Sequence, residues 1–290
     1  MKKKSNEINI TMDKRRIVIQ GVEGCFHHIA ANAYYGEDVE IIPAENFAKL
    51  VDLVQDENVC DGGIMAIENS IAGSILQNYG LLQDSGLVIE GEIYLRIKQN
   101  LMVLPGQKIE DLTEVHSHPM AINQCRAFFR EYPNIKLVET EDTAISARNI
   151  SENGLKGIGA IAGDLPAELY GLQIIAHEIE SIKNNQTRFF LLKRSQDVKP
   201  NGGFTKASLY FSTSHKPGSL SHILDCFAKE KINLSKIQSL PIPGVNWEYF
   251  FHVDLEFELP SQFKNVMNKI SESAKEMTIL GTYNKGLMIR

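Results

Sequence analysis

No stretch of this chain is apolar for long enough to cross a bilayer, and no apolar core follows Lys2-Lys3-Lys4 as in a signal peptide. The four cysteines, Cys25, Cys60, Cys125 and Cys226, lie too far apart to form a C-x-x-C pair. Reduced thiols are therefore expected, without a zinc site. Cationic excess is missing too: 30 Lys and Arg stand against 36 Asp and Glu, a formal charge of -6, which excludes the electrostatic footprint of a nucleic-acid binder. The turn Gly21-Val22-Glu23-Gly24 lacks the G-x-G-x-x-G spacing of a dinucleotide site. These absences leave a cytoplasmic globular protein with no expected metal, cofactor, membrane or nucleic-acid partner, and a length of 290 residues that suits roughly two domains.

What is present is alternation. Residues 1 to about 14 are polar and expected to fray. From there to residue 195, short apolar runs alternate with helical spacings: strands at Ile17 to Ile19, Val39 to Ile42, Ile64 to Ile67, Lys136 to Val138 and Gly157 to Ala162 separate helices such as Phe47 to Val54. Leu87 to Leu104 reads as an extended crossing between two subdomains. The pattern predicts α/β architecture with largely parallel sheets, in which ligands lie beyond the carboxyl ends of the strands.

Turns at those ends present hydroxyl, thiol or amide groups beside helix N-termini: Gly21 to Cys25, Asn69-Ser70, Ser117-His118 with Gln124 one turn on, and Asp142-Thr143-Ala144. Ser70 is predicted to cap the following helix, and Pro119 suits a first helical position. The densest polar cluster is Asn184 to Arg188, directly before the continuously apolar Phe189 to Leu192. A hydroxyl and a guanidinium on a rigid strand end suit a carboxylate or a departing oxygen. The plainer alternative is a β-branched strand opener and a surface Arg. His27-His28 is expected to be a surface pair.

A polar Pro/Gly linker, residues 195 to 204, precedes a second region. Its order, strand through Leu209 and Phe211, helix from Pro217 to Glu230, strands from Ile232 and Tyr249, helix from Ser261 and a strand near Met277, is the ferredoxin-like βαββαβ. Tyr249 to Glu256 alternates as in a sheet with one covered face, whose edge or open face could pair with a second copy. Trp247 and Tyr249 are expected to pack that sheet.

These pieces resemble a known family in its own order. Gly21-x-x-Gly24-x-Phe26, Ile67-Glu68-Asn69-Ser70, Ser117-His118-Pro119 with Gln124-Cys125, Thr143-Ala144 and Asn185-x-Thr187-Arg188-Phe189 resemble the motifs of the prephenate dehydratase catalytic domain. Pro217-Gly218-x-Leu220 and Asn233 to Pro241 resemble the ACT regulatory domain that follows it. The resemblance implies a catalytic domain over 15–195, with type II periplasmic-binding-protein-like lobes at about 15–92 plus 176–195 and about 93–175, and an ACT domain over 205–285.

It also implies an activity: loss of CO2 and a ring hydroxyl from prephenate to give phenylpyruvate, with no cofactor because aromatisation drives the step. Thr187 would act on the leaving hydroxyl. Asn69, Ser70, Ser117, His118, Gln124, Thr143 and Ala144 would bind substrate, with Phe189 at the floor or in the core. His118 is open between an acid and a helix cap, and Arg188 between a substrate carboxylate and a pairing with Glu68. Pro217, Gly218, Ser219, Leu220, Asn233, Leu234, Gln238 and Ser239 would bind L-phenylalanine in a homodimer or homotetramer. Cys25, His27 and Asp142 depart from the catalytic pattern, while Ser219, Gln238 and Leu240 depart from the effector pattern. Arogenate is the rival substrate, and a non-catalytic small-molecule binder the rival class.

Overall fold

The computed structural model describes residues 14–199, 202–242 and 244–289. The polar start lies outside the described residues apart from Lys14, as do Pro200 and Asn201 of the linker. Lobe 1 opens with β1 (Arg15–Gln20), α1 (Phe26–Tyr35), β2 (Val39–Ala44), α2 (Phe47–Gln55), β3 (Gly62–Asn69), β4 (Gly73–Ser74), α3 (Leu76–Ser85) and β5 (Leu87–Arg96). Lobe 2 comprises β6 (Asn100–Val103), β7 (Glu114–Ser117), α4 (Pro119–Cys125), β8 (Lys136–Glu139), α5 (Thr143–Glu152), β9 (Ile158–Ala162), α6 (Leu165–Tyr170) and β10 (Gln173–Ala176). The chain then returns to lobe 1 as β11 (Gln186–Arg194).

Both lobes follow one plan. Lobe 1 runs β2-β1-β3-β11-β5 and lobe 2 runs β8-β7-β9-β6-β10. In each, three parallel strands meet an antiparallel strand next to a crossover between the lobes. The sheets are therefore mixed rather than largely parallel: β11, inserted from the return crossing, runs antiparallel to both β3 and β5. Phe189 to Leu192 are buried on both faces of the lobe 1 sheet, as their unbroken apolar run requires.

Between Arg188 and Phe189 the ladder to β3 slips, so that Phe189 faces Ala66 while Arg188 faces Glu68 and Thr187 faces Asn69. The extra residue is Ile67, a β-bulge. Because side chains alternate, this bulge moves Glu68 to the face that carries Arg188 and Phe190, and Asn69 to the face that carries Thr187 and Phe189. The predicted cap at Ser70 is not formed. Gly73-Ser74 pairs back on β3, and α3 begins only after Ile75, without a side-chain cap.

The second region forms β12 (Lys206–Thr213), α7 (Ser219–Lys229), β13 (Asn233–Pro241), β14 (Tyr249–Glu256), α8 (Pro260–Ile270) and β15 (Ala274–Tyr283), in the sheet order β13-β14-β12-β15. The predicted single covered face is corrected here. Phe251, Val253 and Leu255 pack under α7 and α8, while Phe250, His252 and Asp254 of the alternate face are also buried. Lobe 1 covers that second face: Leu280 and Tyr283 share a core with Tyr79, Leu82, Phe190 and Leu192. The His252 ring meets Tyr79 edge-on at 4.6 Å. A last strand, β16 (Leu287–Ile289), leaves the small sheet and pairs parallel with β5. Trp247 does not pack the sheet; it is 77% exposed at φ +63°, and Tyr249 is exposed as well. Among the described residues no helix is long and apolar enough to cross a membrane.

Candidate active site

Asn69 at the end of β3 lies opposite Thr187 at the start of β11, and the two strands carry a dense polar cluster there. The Asn69 carboxamide joins it together. Its Nδ2 donates to Thr187 Oγ1 at 3.0 Å, to Asn185 Oδ1 at 2.8 Å and to the Gln186 carbonyl at 3.2 Å. Its Oδ1 accepts from the backbone N–H groups of Ile71 (3.0 Å) and Ala72 (2.9 Å), which fixes the amide's orientation. Ser70 Oγ accepts from Gln186 N at 2.9 Å and donates to Asn185 Oδ1 at 3.3 Å. Thr187 thus accepts a hydrogen bond from Asn69 and keeps its own hydroxyl hydrogen for a ligand. Asn185, fully buried, has a side-chain Nδ2 without a protein partner in the same cluster.

The Gly21 to Cys25 turn and the start of α5 meet across the lobes. Asp142 caps α5 by accepting from Ala144 N (2.7 Å) and Ile145 N (3.1 Å), and Ala144 packs into the lobe 1 core with Cys25, Ala66 and Phe189. Thr143, at the first turn of α5, is buried. Gly21 and Gly24 hold φ of +102° and +89°, and a Cβ on Gly24 would press on Pro166 of α6 at 3.2 Å. Burial, reinforced by the Asp142 charge, pushes the Cys25 thiol up to about 12. It is a neutral donor, 3.5 Å from the Gln20 carbonyl.

His27 and His28 correct the surface-pair expectation, since both are buried. His27 Nε2 accepts from Ala66 N at 3.2 Å, and the ring meets Phe189 edge-on at 5.1 Å. Burial lowers its pKa to about 3, so it is a neutral acceptor. His28 Nδ1 accepts from Gly24 N at 3.0 Å, and burial lowers its pKa as well. Both imidazoles therefore hold backbone around the glycine turn and the bulge. No local pattern in the sequence separates such residues from a surface pair.

Lobe 2 contributes less uniformly. His118 caps α4, its Nδ1 accepting from Met120 N at 3.2 Å. With Gln20, Asn46, Phe47 and Gln77 of lobe 1 it lines an interlobe cleft of about 920 Å³. Ser117 is fully buried and donates to the Ile161 carbonyl at 2.6 Å, so its hydrogen is committed inside lobe 2. Gln124 sits against the crossings: its carbonyl accepts from Ser181 N at 2.9 Å, and its Oε1 lies 3.5 Å from Gln99 Nε2.

Arg188 does not pair with Glu68. It is 4% exposed, and its Nε donates to Glu92 Oε2 at 2.7 Å while NH1 pairs with Asp254 of the small sheet. Glu68 pairs instead with Lys236. Around Arg188, Lys206 Nζ donates to Glu92 Oε1 at 2.9 Å, and Ser208 Oγ to Asp254 Oδ1 at 2.5 Å. Burial alone would raise the Asp254 carboxyl, but Arg188 and His252 beside it hold it well below the usual carboxylate range. Burial would likewise lower Arg188, yet Asp254, Tyr283 and Glu92 leave it raised and charged.

The expected effector residues divide between the two faces of the small sheet. Pro217 and Leu220 line a cavity of about 340 Å³ with Thr213, Tyr249 and Phe251. Gly218 precedes α7 at φ +86°, and Ser219 Oγ lies 2.7 Å from Ser214 Oγ. Ser239, opposite Phe251, shares that face, and Leu234 packs into the helix-covered core. Gln238, opposite His252, lies on the other face, where its Oε1 accepts from Ser74 Oγ of lobe 1 at 3.1 Å. Asn233 is exposed at the start of β13.

Two α/β lobes with a cleft between them, and a four-stranded sheet packed on lobe 1, define a two-lobed fold with an appended domain. The family model for prephenate dehydratase matches residues 17–197, and the chain belongs to that family of carbon–oxygen lyases. It is similar to the chloroplastic arogenate dehydratase/prephenate dehydratase 2 of Arabidopsis thaliana, at 34% identity over 278 residues, covering 92% of this chain and 72% of that protein. Among solved structures it is similar to a prephenate dehydratase of Arthrobacter aurescens in complex with L-Phe, at TM-score 0.82 and 26% identity, covering 93% and 90% of the two chains. It is also similar to GqqA, described as a novel type of quorum quenching acylase, at TM-score 0.85 and 30% identity, covering 93% and 98%.

Proposed function

We propose that this chain converts prephenate to phenylpyruvate by concerted loss of CO2 and the ring hydroxyl, with Thr187 as the donor to the departing oxygen. The reading rests on one observation: Thr187 Oγ1 accepts from Asn69 Nδ2 at 3.0 Å, and its hydroxyl hydrogen has no protein partner among the described residues. The C–C bond to the carboxylate breaks, its electron pair completes the aromatic ring, and the C–O bond breaks; the departing hydroxide, hydrogen-bonded by Thr187, takes one proton from solvent water, which the medium replaces, and leaves as water. A donated hydrogen bond that strengthens as charge grows on that oxygen lowers the barrier. Asn69 orients Thr187 rather than the substrate. Asn185, buried in the same cluster, accepts from Asn69 Nδ2 and Ser70 Oγ and so helps to hold Asn69 against Thr187.

Catalysis is assigned to residues 15–195, and L-phenylalanine sensing to an ACT domain over 205–285 in a homo-oligomer. The support for sensing is the Pro217 and Leu220 cavity and the L-Phe complex of the Arthrobacter relative. A cytoplasmic setting is supported by four free, buried thiols, although the Arabidopsis relative is named chloroplastic. Arogenate is the second substrate reading, favoured by the double name of that relative. Purified chain is assayed by ultraviolet absorbance with prephenate and with arogenate, and calorimetry with millimolar L-phenylalanine follows. Phenylpyruvate as the faster product is expected; faster release of phenylalanine from arogenate reverses the substrate assignment. Release of a free amine from N-acyl substrates with neither aromatic product formed would instead give this chain the acylase activity by which GqqA is described. No heat and no shift in melting temperature with L-phenylalanine removes the sensing role.

A further inference from the structure

The bulge at Ile67 places a second cross-strand pair directly behind Asn69 and Thr187. Glu68 and Arg188 face one another in register, on the sheet face opposite Asn69 and Thr187, and each is held by the small domain. Lys236 Nζ of β13 pairs with Glu68 and donates to Ser74 Oγ at 2.6 Å, while Ser74 Oγ donates to Gln238 Oε1 at 3.1 Å. Asp254 of β14 pairs with Arg188. Glu68 and Asn69 are neighbours on one short strand, and so are Arg188 and Thr187. A small-domain shift that moves the rear pair therefore turns the front pair, because their backbones are shared.

We infer that Lys236 of the small domain is a positioning residue for the Asn69–Thr187 hydrogen bond, acting through Glu68. The inference rests on the proposed reading of Thr187 as the donor and adds the route by which the small domain governs it. Lys236 carries this role better than Asp254 because its side chain is only partly buried, at 13% exposure, so the chain tolerates its replacement. Its position within Asn233 to Pro241 also puts the contact on the strand that holds Ser239 and Gln238. Movement of β13 on ligand binding would be felt at Glu68 without any contact between effector and substrate.

The test uses full-length protein carrying Lys236→Met, Lys236→Arg, Glu68→Gln or the surface control Lys229→Met. Lys229 is paired only with Asp225 on α7, and its replacement leaves kcat unchanged. Lys236→Met is expected to lower kcat about tenfold with KM changed less than about twofold, the pattern of a misplaced donor. It should also shift the Asn69 side-chain amide resonance in a nitrogen–proton correlation spectrum. Lys236→Arg, which keeps charge and reach, restores both. Combining Lys236→Met with Glu68→Gln adds little to either alone. An Asn69 resonance that stays at its wild-type position in Lys236→Met overturns the inference, as does wild-type kcat in that variant. If Lys236→Met does not fold, Glu68→Gln reads the same link from the other side. Wild-type protein inactive on both substrates contradicts the proposed function alone, and the Asn69 resonance still decides the positioning role.

Discussion

Replacing Arg188 by Met removes the one guanidinium that faces both Glu92 and Asp254 while keeping an unbranched side chain to pack over the Phe190 ring, 4.6 Å from the guanidinium carbon. Asp254 then remains fully buried, with the Ser208 hydroxyl and His252 but no arginine. Breaking one partner out of such a buried pair costs about 3–5 kcal/mol. At ~2–4 °C per kcal/mol for chains of this order of size, the melting temperature falls by roughly 10 °C. The pH dependence is more diagnostic. Without Arg188, burial, the largest influence on Asp254, raises its carboxyl instead of being overridden. A carboxyl raised in the folded state contributes stability below its unfolded pKa and loses it as pH rises through the folded value. The deficit of the variant against wild type therefore narrows as pH is lowered from about 7 to about 5. Scanning calorimetry of both proteins across that range measures it. A variant that melts with wild type at neutral pH, or a deficit that widens on acidification, refutes the assignment of Arg188 as the clamp between β11 and the small sheet.

His27 sets a second acid sensitivity. Its folded pKa of about 3 lies below the unfolded 6.5, so its contribution is complete above 6.5 and is lost as pH falls toward 3. At pH 5 the loss is about 2 kcal/mol, and His27→Gln, which can still accept from Ala66 N, flattens the slope in urea titrations; an unchanged slope contradicts this. The Cys25 and Cys125 thiols, both pushed up to about 12 mainly by burial, stay unlabelled by iodoacetamide in native protein and react after denaturation, and native labelling of Cys25 seen by mass spectrometry contradicts its placement.

Local pattern was enough for most strands and helices of both lobes, because each is an apolar run or spacing bounded by its own turn residues; β4, only Gly73-Ser74, carried no such signal. Phe189 to Leu192 announced a doubly covered strand, and Thr187 beside Asn185 announced a polar strand mouth. Arg188 could not be placed the same way: Asp254, its partner, lies 66 residues further along, on a strand whose alternation reads equally well as a solvent face. The same ambiguity concealed Phe250 and His252 beneath lobe 1. The Ile67 bulge also left no mark in Ile67-Glu68-Asn69-Ser70, yet it decides which of Glu68 and Asn69 shares a sheet face with Thr187. β16 is too short to signal itself and exists because β5 offers an edge. Motif resemblance named Asn69, Ser70 and Thr187 together, and the hydrogen bonds add what it could not: Asn69 donates to Thr187, while Ser70 holds Asn185 and Gln186.

The most direct measurement compares phenylpyruvate formation from prephenate by wild-type protein and by Thr187→Val, which keeps the β-branched shape and removes the hydroxyl. The account predicts a fall in kcat of about 10²- to 10³-fold, the scale of a lost hydrogen-bond donor to developing charge, with the melting temperature near wild type. A Thr187→Val protein that turns over prephenate at the wild-type rate contradicts it.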